Sequence, residues 1–319
     1  MDNNVSKKTF LHKFFKLRVD NEKDSLSVKE LLQQHLSSTF YLFQQNYNFA
    51  CDRQFIIKTI NSKIALLHPS IESISSYCHR HQDLLSLQPK PIIIYTCSIA
   101  LFLASRIAKT PSILAEELVN LLILSTDSIN SRLNLNLQIK IEKSGVIYFC
   151  LDSESVAIWL EKSLVLFNTK IDPRQQLYLS ESANFSPASL FSVQYVHARC
   201  CNLLNLGKRE KLFISDNTKY TSWLDAQNNL WLKQEAEFVL LRQLFLVNDL
   251  YTANVDWQKI ALNLSQIATI FLAECRFLGK IKQENPPQAI ARLKLIALTQ
   301  YWLKRILIEK LNLTAPTSL

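Results

Sequence analysis

Residues 184–201 read Asn184-Phe185-Ser186-Pro187-Ala188-Ser189-Leu190-Phe191-Ser192-Val193-Gln194-Tyr195-Val196-His197-Ala198-Arg199-Cys200-Cys201. From Val193 onward the spacing is helical. Val193, Val196, Cys200 and Leu203 share one side, while Tyr195 and Arg199 stand one turn apart on another. The chain beyond sustains this period. Trp257, Ile260, Ala261, Leu264, Ile267, Ala268, Phe271 and Cys275 step by three and four, a continuous buried stripe. Pro286-Pro287 opens a last helix expected to run to about Leu311. Only 211–223 breaks the pattern, with Lys211-Leu212-Phe213-Ile214 and Tyr220-Thr221-Ser222-Trp223, and reads as an inserted hairpin or loop. Residues 190–319 therefore predict an all-α bundle.

Upstream the pattern is mixed. Residues 1–30 form a polar tail of mixed charge. Leu31, Leu32, His35, Leu36, Phe40 and Phe43 fall on one side of a helix. Pro89 and Pro91 bracket a loop before Ile92-Ile93-Ile94-Tyr95, a β-branched run typical of a buried strand. A helix over roughly 97–109 follows, and Thr110-Pro111 stops it. The next starts near Ser112 with Leu114, Leu118, Leu121 and Leu122 as its apolar stripe. Leu137–Ile141 alternates, Lys143-Ser144-Gly145 turns the chain, and Val146–Leu151 runs extended, which is a β-hairpin signal. Asp152 or Ser153 caps a helix carrying Val156, Trp159, Leu160 and Leu164. Residues 31–167 are thus expected to be an α+β domain, and the aperiodic stretch 168–189, with Pro173 and Pro187, a linker.

The chain has 319 residues and only three glycines, Gly145, Gly207 and Gly279. An average chain of this length carries about 7% glycine, roughly twenty. Phosphate-cradling loops need two or three glycines close together, because the backbone must approach the anion without a Cβ. Here each stands more than 60 residues from the next, which excludes a Walker loop, a dinucleotide fingerprint and a kinase glycine loop. Gly145 is expected in the hairpin turn, and Gly207 and Gly279 as helix C-caps.

Net charge is +9, from 36 Lys+Arg against 27 Asp+Glu, and favours an acidic partner. Residues 190–319 carry 16 cations against 10 anions, so the helical half is the more basic. Seven cysteines with no Cys-x-x-Cys pair suit reduced, mostly buried thiols in a cytoplasmic protein. No secretory signal is expected, since Lys13 and Lys16 interrupt the only early apolar stretch. The apolar run Ile92–Ser105 is too short to span a bilayer, so no membrane partner is expected.

Three clusters could carry chemistry. Cys78-His79-Arg80-His81 has no second Cys/His pair at zinc-ligand spacing and reads as a loop with incidental histidines. Neither a metal nor any other cofactor is expected. The second cluster, Gln194 to Cys201, offers His197 no evident nucleophile or orienting carboxylate. It reads either as hydrogen-bonded helix residues at a domain junction or as a binding face. The third lies on the last helix: Arg292, Lys294, Tyr301, Lys304 and Arg305. Lys294, Tyr301 and Arg305 share one side, and cations flanking an aromatic suit single-stranded RNA, with ammonium or guanidinium on phosphate and ring on base. The alternative is a solvated face with a rim tyrosine.

Val193-Gln194-Tyr195-Val196-His197-Ala198-Arg199 resembles the Val-Gln-Tyr-Ala-His-Ala-Arg segment of the DALR anticodon-binding domain of arginyl-tRNA synthetases, with one difference. Glu235–Leu246 and Ile260–Cys275 resemble that domain's second and third helices. Ala291-Arg292-Leu293-Lys294-Leu295 matches its Ala-Arg-Leu-x-Leu signature. Leu311-Asn312-Leu313-Thr314-Ala315-Pro316 is similar to its Leu-Gly-Ile-x-Ala-Pro, with Asn312 in place of glycine. More weakly, Tyr95–Ala108, Lys109-Thr110-Pro111 and Ser144-Gly145-Val146-Ile147-Tyr148-Phe149 are similar to the N-terminal additional domain of the same enzymes.

The resemblance implies a tRNA partner, with tRNA-Arg the one the family points to. The bundle would take the anticodon arm through Tyr195, His197, Arg199, Arg292, Lys294, Tyr301, Lys304 and Arg305. Gly145 and Tyr148 of the hairpin would face the tRNA elbow, with Tyr148 able to stack on a base. Charge reversal at Arg292 or Arg305 would then weaken binding. Between the two similar regions the family carries its catalytic core, for which 168–189 leaves no room, and the glycine shortage agrees. The expectation is a non-catalytic tRNA adaptor or chaperone that serves a tRNA-modifying enzyme or a synthetase. The alternative is a protein-interaction scaffold that has lost RNA binding.

Overall fold

A computed structural model of the chain describes residues 27–47, 53–66, 92–133, 137–167, 186–212 and 222–319. The Cys78–His81 cluster lies outside them, as do most of the stretch read as linker and residues 213–221 of the insertion.

Described elements run α1 (Val28–Tyr47), α2 (Arg53–Lys63), β1 (Ile64–Leu66), β2 (Ile93–Cys97), α3 (Ile99–Ile107), α4 (Pro111–Leu133), β3 (Leu137–Ile141), β4 (Ile147–Leu151) and α5 (Ser153–Phe167). Then come α6 (Pro187–Arg209), α7 (Glu235–Leu250), α8 (Trp257–Glu274), α9 (Lys280–Glu284) and α10 (Pro286–Arg305), which runs into a π-helical turn, Ile306–Lys310. The architecture is α+β followed by an all-α bundle. The strands form one sheet in the order β1-β2-β4-β3.

Two compact units divide the chain. One draws on the described residues up to 65, within 95–129 and within 141–148. In it α1 buries Val28, Leu32, Leu36 and Phe40, and α4 buries Leu114, Leu118 and Leu122, as their helical spacing predicts. The β3–β4 turn closes through Gly145 N–H donating to Glu142 O at 2.8 Å. Gly145 has φ +92, and a Cβ there would lie 2.6 Å from Pro111 Cβ and 2.7–2.8 Å from Pro111 backbone atoms. Backbone geometry and close packing thus both demand glycine at this turn.

The other unit draws on the described residues within 66–94, 130–140 and 149–319. Its central element is α10, which packs against α5, α6, α7, α8 and α9. Ser186 caps α6 through Ser189 N and Pro187 takes the first turn, so this helix begins inside the stretch read as linker. Asp152 caps α5, its Oδ1 accepting from Ser155 N at 2.9 Å. Helix α5 then fastens to the bundle: Trp159 stacks on Phe245 of α7 with ring centroids 3.7 Å apart. Gln234 and Glu237 form a capping box at the start of α7.

Two glycine expectations need correction. Gly207 is no C-cap: it is buried inside α6, where a Cβ would stand 2.5 Å from Leu293 Cδ2. Gly279 does have a positive φ, +75, but precedes α9 as its N-cap residue, and Cys275 ends α8. Just beyond the 211–223 stretch, Leu224 and Leu230 form an antiparallel bridge. Asp225 Oδ1 closes the tip by accepting from Gln227 N and Asn229 N, so this part is a small hairpin.

Candidate nucleic-acid interface

The polar cluster of α6 separates into an inward and an outward set. Val193, Val196, Ala198 and Cys200 face the core. On the outward side Phe191 is 58% exposed and Tyr195 46% exposed, and the two rings stack with centroids 6.0 Å apart and planes 22° apart. Arg199 follows one turn later, half-buried. Phe191, Tyr195 and Arg199 therefore form an i, i+4, i+8 line of two aromatics and a cation. Phe191 was not among the residues expected at the site, although this same spacing could have revealed it. Lys304 of α10, also half-buried, lies close enough to act electrostatically on His197 and Cys201, which places it beside α6.

His197 is fully buried and presents nothing to a ligand. Its Nδ1 lies 2.8 Å from Pro316 O, and its Nε2 lies 2.8 Å from Gln300 Nε2. The Gln300 amide donates to Nε2, so the ring proton sits on Nδ1 and donates to the Pro316 carbonyl. Burial depresses the imidazole's basicity and keeps it neutral; the Pro316 hydrogen bond opposes this, and the charge on Lys304 reinforces it. Beside it, Gln194 Nε2 donates to Thr314 O at 2.9 Å.

Most of the α10 set is also internal, contrary to expectation. The Arg292 side chain is 5% exposed; its Nε donates to Glu237 Oε1 and its Nη1 to Arg276 O, both at 2.5 Å. Lys294 is 3% exposed, 3.6 Å from Glu161 Oε2 of α5 and 5.1 Å from the centroid of the Trp223 ring. Trp223 Nε1 donates to the same carboxylate oxygen at 3.1 Å. Burial lowers the Lys294 basicity, and Glu161 counteracts this.

Tyr301 is buried. Arg305 grips Glu309 through two hydrogen bonds of 2.9 Å, donates to Tyr301 Oη at 3.1 Å and lies 4.2 Å from the Tyr251 ring centroid. Its guanidinium is committed to the protein, as is the Glu309 carboxylate, which also accepts from Tyr251 Oη. The physical reason is common to all these residues. Helix α10 is surrounded by five others, so it has no solvated face of the kind its cations suggested.

The hairpin residues are corrected in the same way. Tyr148 is 4% exposed and donates to Glu142 Oε2 at 2.7 Å, so its ring cannot stack on a base. Gly145 shapes the turn. Of the expected residues, Tyr195, Arg199 and Lys304 remain where a polyanion could reach them.

Among the described residues, Cys97, Cys150, Cys200, Cys201 and Cys275 are free thiols. Burial pushes Cys97 and Cys200 up to about 12, so they are unreactive core groups. Among the described residues no group of three or more His, Cys, Asp or Glu could hold a metal ion. Among them too, no helix is long and apolar enough to cross a membrane.

Residues 193–319 match the family described as DALR anticodon binding domain. An arginine–tRNA ligase of Synechococcus sp. (strain JA-3-3Ab) is 34% identical over 133 residues, which are 40% of this chain and 22% of that enzyme. No solved structure matches. The chain thus spans about a fifth of the length of this curated relative. Over residues 193–319 the helical bundle built around α10 is similar to the DALR anticodon binding domain family and to part of an arginine–tRNA ligase.

Proposed function

We propose that this chain binds tRNA through the outward face of α6 and works as a non-catalytic tRNA adaptor or chaperone in the cytoplasm. The observation that carries the reading is the exposed Phe191–Tyr195 stack followed by Arg199, on the first helix of a bundle similar to an anticodon-binding domain. Stacked aromatics accept unpaired bases at about 1–3 kcal/mol per base, and adjacent cations hold the phosphates. An anticodon loop offers both. The similarity to an arginine–tRNA ligase makes tRNA-Arg the first substrate to test. A tRNA-modifying enzyme or a synthetase would receive the bound tRNA.

The deciding experiment is a binding titration of total tRNA against heparin over a range of salt. A preference for tRNA with a steep salt dependence supports the reading; equal affinity for the two polyanions overturns it. ATP–pyrophosphate exchange tests the non-catalytic part, and the expected result is none above background. The scarcity of glycine supports that expectation, since activation of an amino acid needs phosphate-binding groups.

A protein-interaction scaffold is the second reading. The withdrawal of Arg292, Lys294 and Tyr301 from the surface favours it, because they are three of the groups that an RNA face on α10 would need. A pull-down that recovers a stable protein partner without RNA would establish it.

A further inference from the structure

Segment 313–316 leaves the π-helical turn and runs back to α6. Leu313 N donates to Leu307 O at 2.7 Å, and Asn312 just before it has φ 52, the left-handed turn that redirects the chain. Two α6 side chains then receive the segment one after the other. Gln194 holds Thr314 through its carbonyl at 2.9 Å and its hydroxyl at 3.2 Å, and His197 holds the Pro316 carbonyl at 2.8 Å. Gln194 stands three residues after Phe191 and so neighbours it on the α6 surface, while His197 points into the core; the outer tie therefore lies on the flank of α6 next to the exposed stack, and the inner tie lies farther round the helix.

The two ties differ in character. Gln194 lies near the surface, where water competes for its hydrogen bonds. His197 is fully buried, and both ring nitrogens are satisfied in one tautomer only, with Gln300 fixing the proton on Nδ1. A buried hydrogen bond whose donor is oriented by a second partner is costly to lose, because the Pro316 carbonyl would be left without it.

We propose that His197 is a positioning residue: it latches segment 313–316 across α6, and the latched segment forms one wall of the tRNA-binding face at Phe191, Tyr195 and Arg199. This rests on the tRNA reading given above. The latch itself does not, and the test separates them.

The variants are His197→Ala, His197→Asn, which returns an N–H donor near the Nδ1 position, and Gln194→Ala, which weakens the outer tie without opening a cavity. Two quantities are measured on the full chain: hydrogen exchange of the amides in 313–319 without RNA, and affinity for total tRNA and for heparin. The expected result for His197→Ala is exchange at least tenfold faster, confined to 313–319, with tRNA affinity about tenfold weaker and heparin affinity unchanged. His197→Asn recovers most of both, and Gln194→Ala shows a smaller loss in the same direction. Wild-type exchange in His197→Ala overturns the latch. A released segment with undiminished tRNA affinity overturns its role as a wall. If His197→Ala exchanges fast throughout the bundle, Gln194→Ala decides, and unchanged tRNA affinity there overturns the wall. A wild-type chain that does not prefer tRNA over heparin removes the binding role together with the tRNA reading, and the exchange data still decide the latch.

Discussion

Arg292 of α10 and Glu237 of α7 form an ion pair in the interior of the helical unit, with Nε–Oε1 at 2.5 Å and side chains 5% and 0% exposed. Glu237 does more than balance the charge. Its Oε2 also accepts from the backbone of Gln234 at 2.7 Å and from that of Lys233, closing the N-terminus of α7. One carboxylate therefore joins a helix cap to the central helix.

The first prediction follows from that geometry. Removing one member of a buried pair leaves the other charge without compensation, at a cost of about 3–5 kcal/mol. Arg292→Met should lower stability by this amount in urea denaturation, and Arg292→Glu should prevent folding. Weaker RNA binding by a charge reversal here would thus report a damaged fold, not a lost phosphate contact. A loss of stability below about 1 kcal/mol for Arg292→Met would contradict the buried-pair assignment.

Gly207 sets a second test. In α6, Gly207→Ala gains helix propensity worth about 1 kcal/mol, but its Cβ would stand 2.5 Å from Leu293 Cδ2, and Leu293 is fully buried. Overpacking of this kind costs about 1–3 kcal/mol, so Gly207→Ala should destabilise by roughly 1 kcal/mol. In a Leu293→Ala background the clash is gone and the same substitution should stabilise. A double-mutant cycle reads this change of sign directly.

These two positions also explain how far the sequence could be read. The stripe of α8, the inner face of α6 and the Gly145 hairpin were legible because each element has one buried face, and burial then follows the helical or strand period. Tyr195 and Arg199 were legible as outward residues for the same reason, being off the Val193–Val196–Cys200 side. The residues of α10 were not. That helix is buried from Gln288 to Leu303 with the exception of Gln300, which is half-buried. Its cations therefore mark internal partners, Glu237 and Glu161, that lie 55 residues or more away in sequence. The signal that was present was sparse charge: Arg292 and Lys294 are the only charged residues between Pro286 and Trp302. Likewise a lone glycine after a helical run looks the same whether it ends the helix or admits a leucine.

Glycine scarcity has a second consequence. Ala108 ends α3 in the left-handed region, at φ 53 and ψ 39, where glycine is the usual residue. Ala108 is exposed, so nothing nearby offsets the strain of its Cβ. Ala108→Gly should raise stability by about 0.5–1 kcal/mol, after allowing for the greater freedom of glycine in the unfolded chain. An unchanged or lower urea midpoint would refute the strain.

Acid should loosen the fold through His197. The groups facing its ring are Gln300, Cys201, the Pro316 carbonyl and the charge of Lys304, and burial keeps the imidazole neutral. Its basicity in the fold is lower than in the unfolded chain, where it titrates near 6.5. The unfolded state therefore binds the extra proton. His197's contribution to stability is complete above about pH 6.5 and declines as pH falls below it, by at most about 1.4 kcal/mol per unit. His197→Asn should flatten the stability profile between about pH 5 and 7 relative to wild type. Parallel profiles would place the titration elsewhere.

The proposed RNA face yields the sharpest contrast, because the same helices carry exposed and buried members of one expected set. Tyr195→Ala and Phe191→Ala each remove a stacking platform and should weaken tRNA binding about tenfold or more, with a loss of stability of at most about 1 kcal/mol, since both rings are about half exposed and pack chiefly on each other. Arg199→Ala and Lys304→Ala should each reduce the slope of log affinity against log salt by about one, the signature of a lost phosphate contact. Lys294 is the internal comparison. It is buried against Glu161 and Trp223, so a Lys294→Met protein that still folds should keep the wild-type salt slope. If Lys294→Met lowers that slope while Arg199→Ala and Lys304→Ala leave it unchanged, the binding face is not the one that α6 presents.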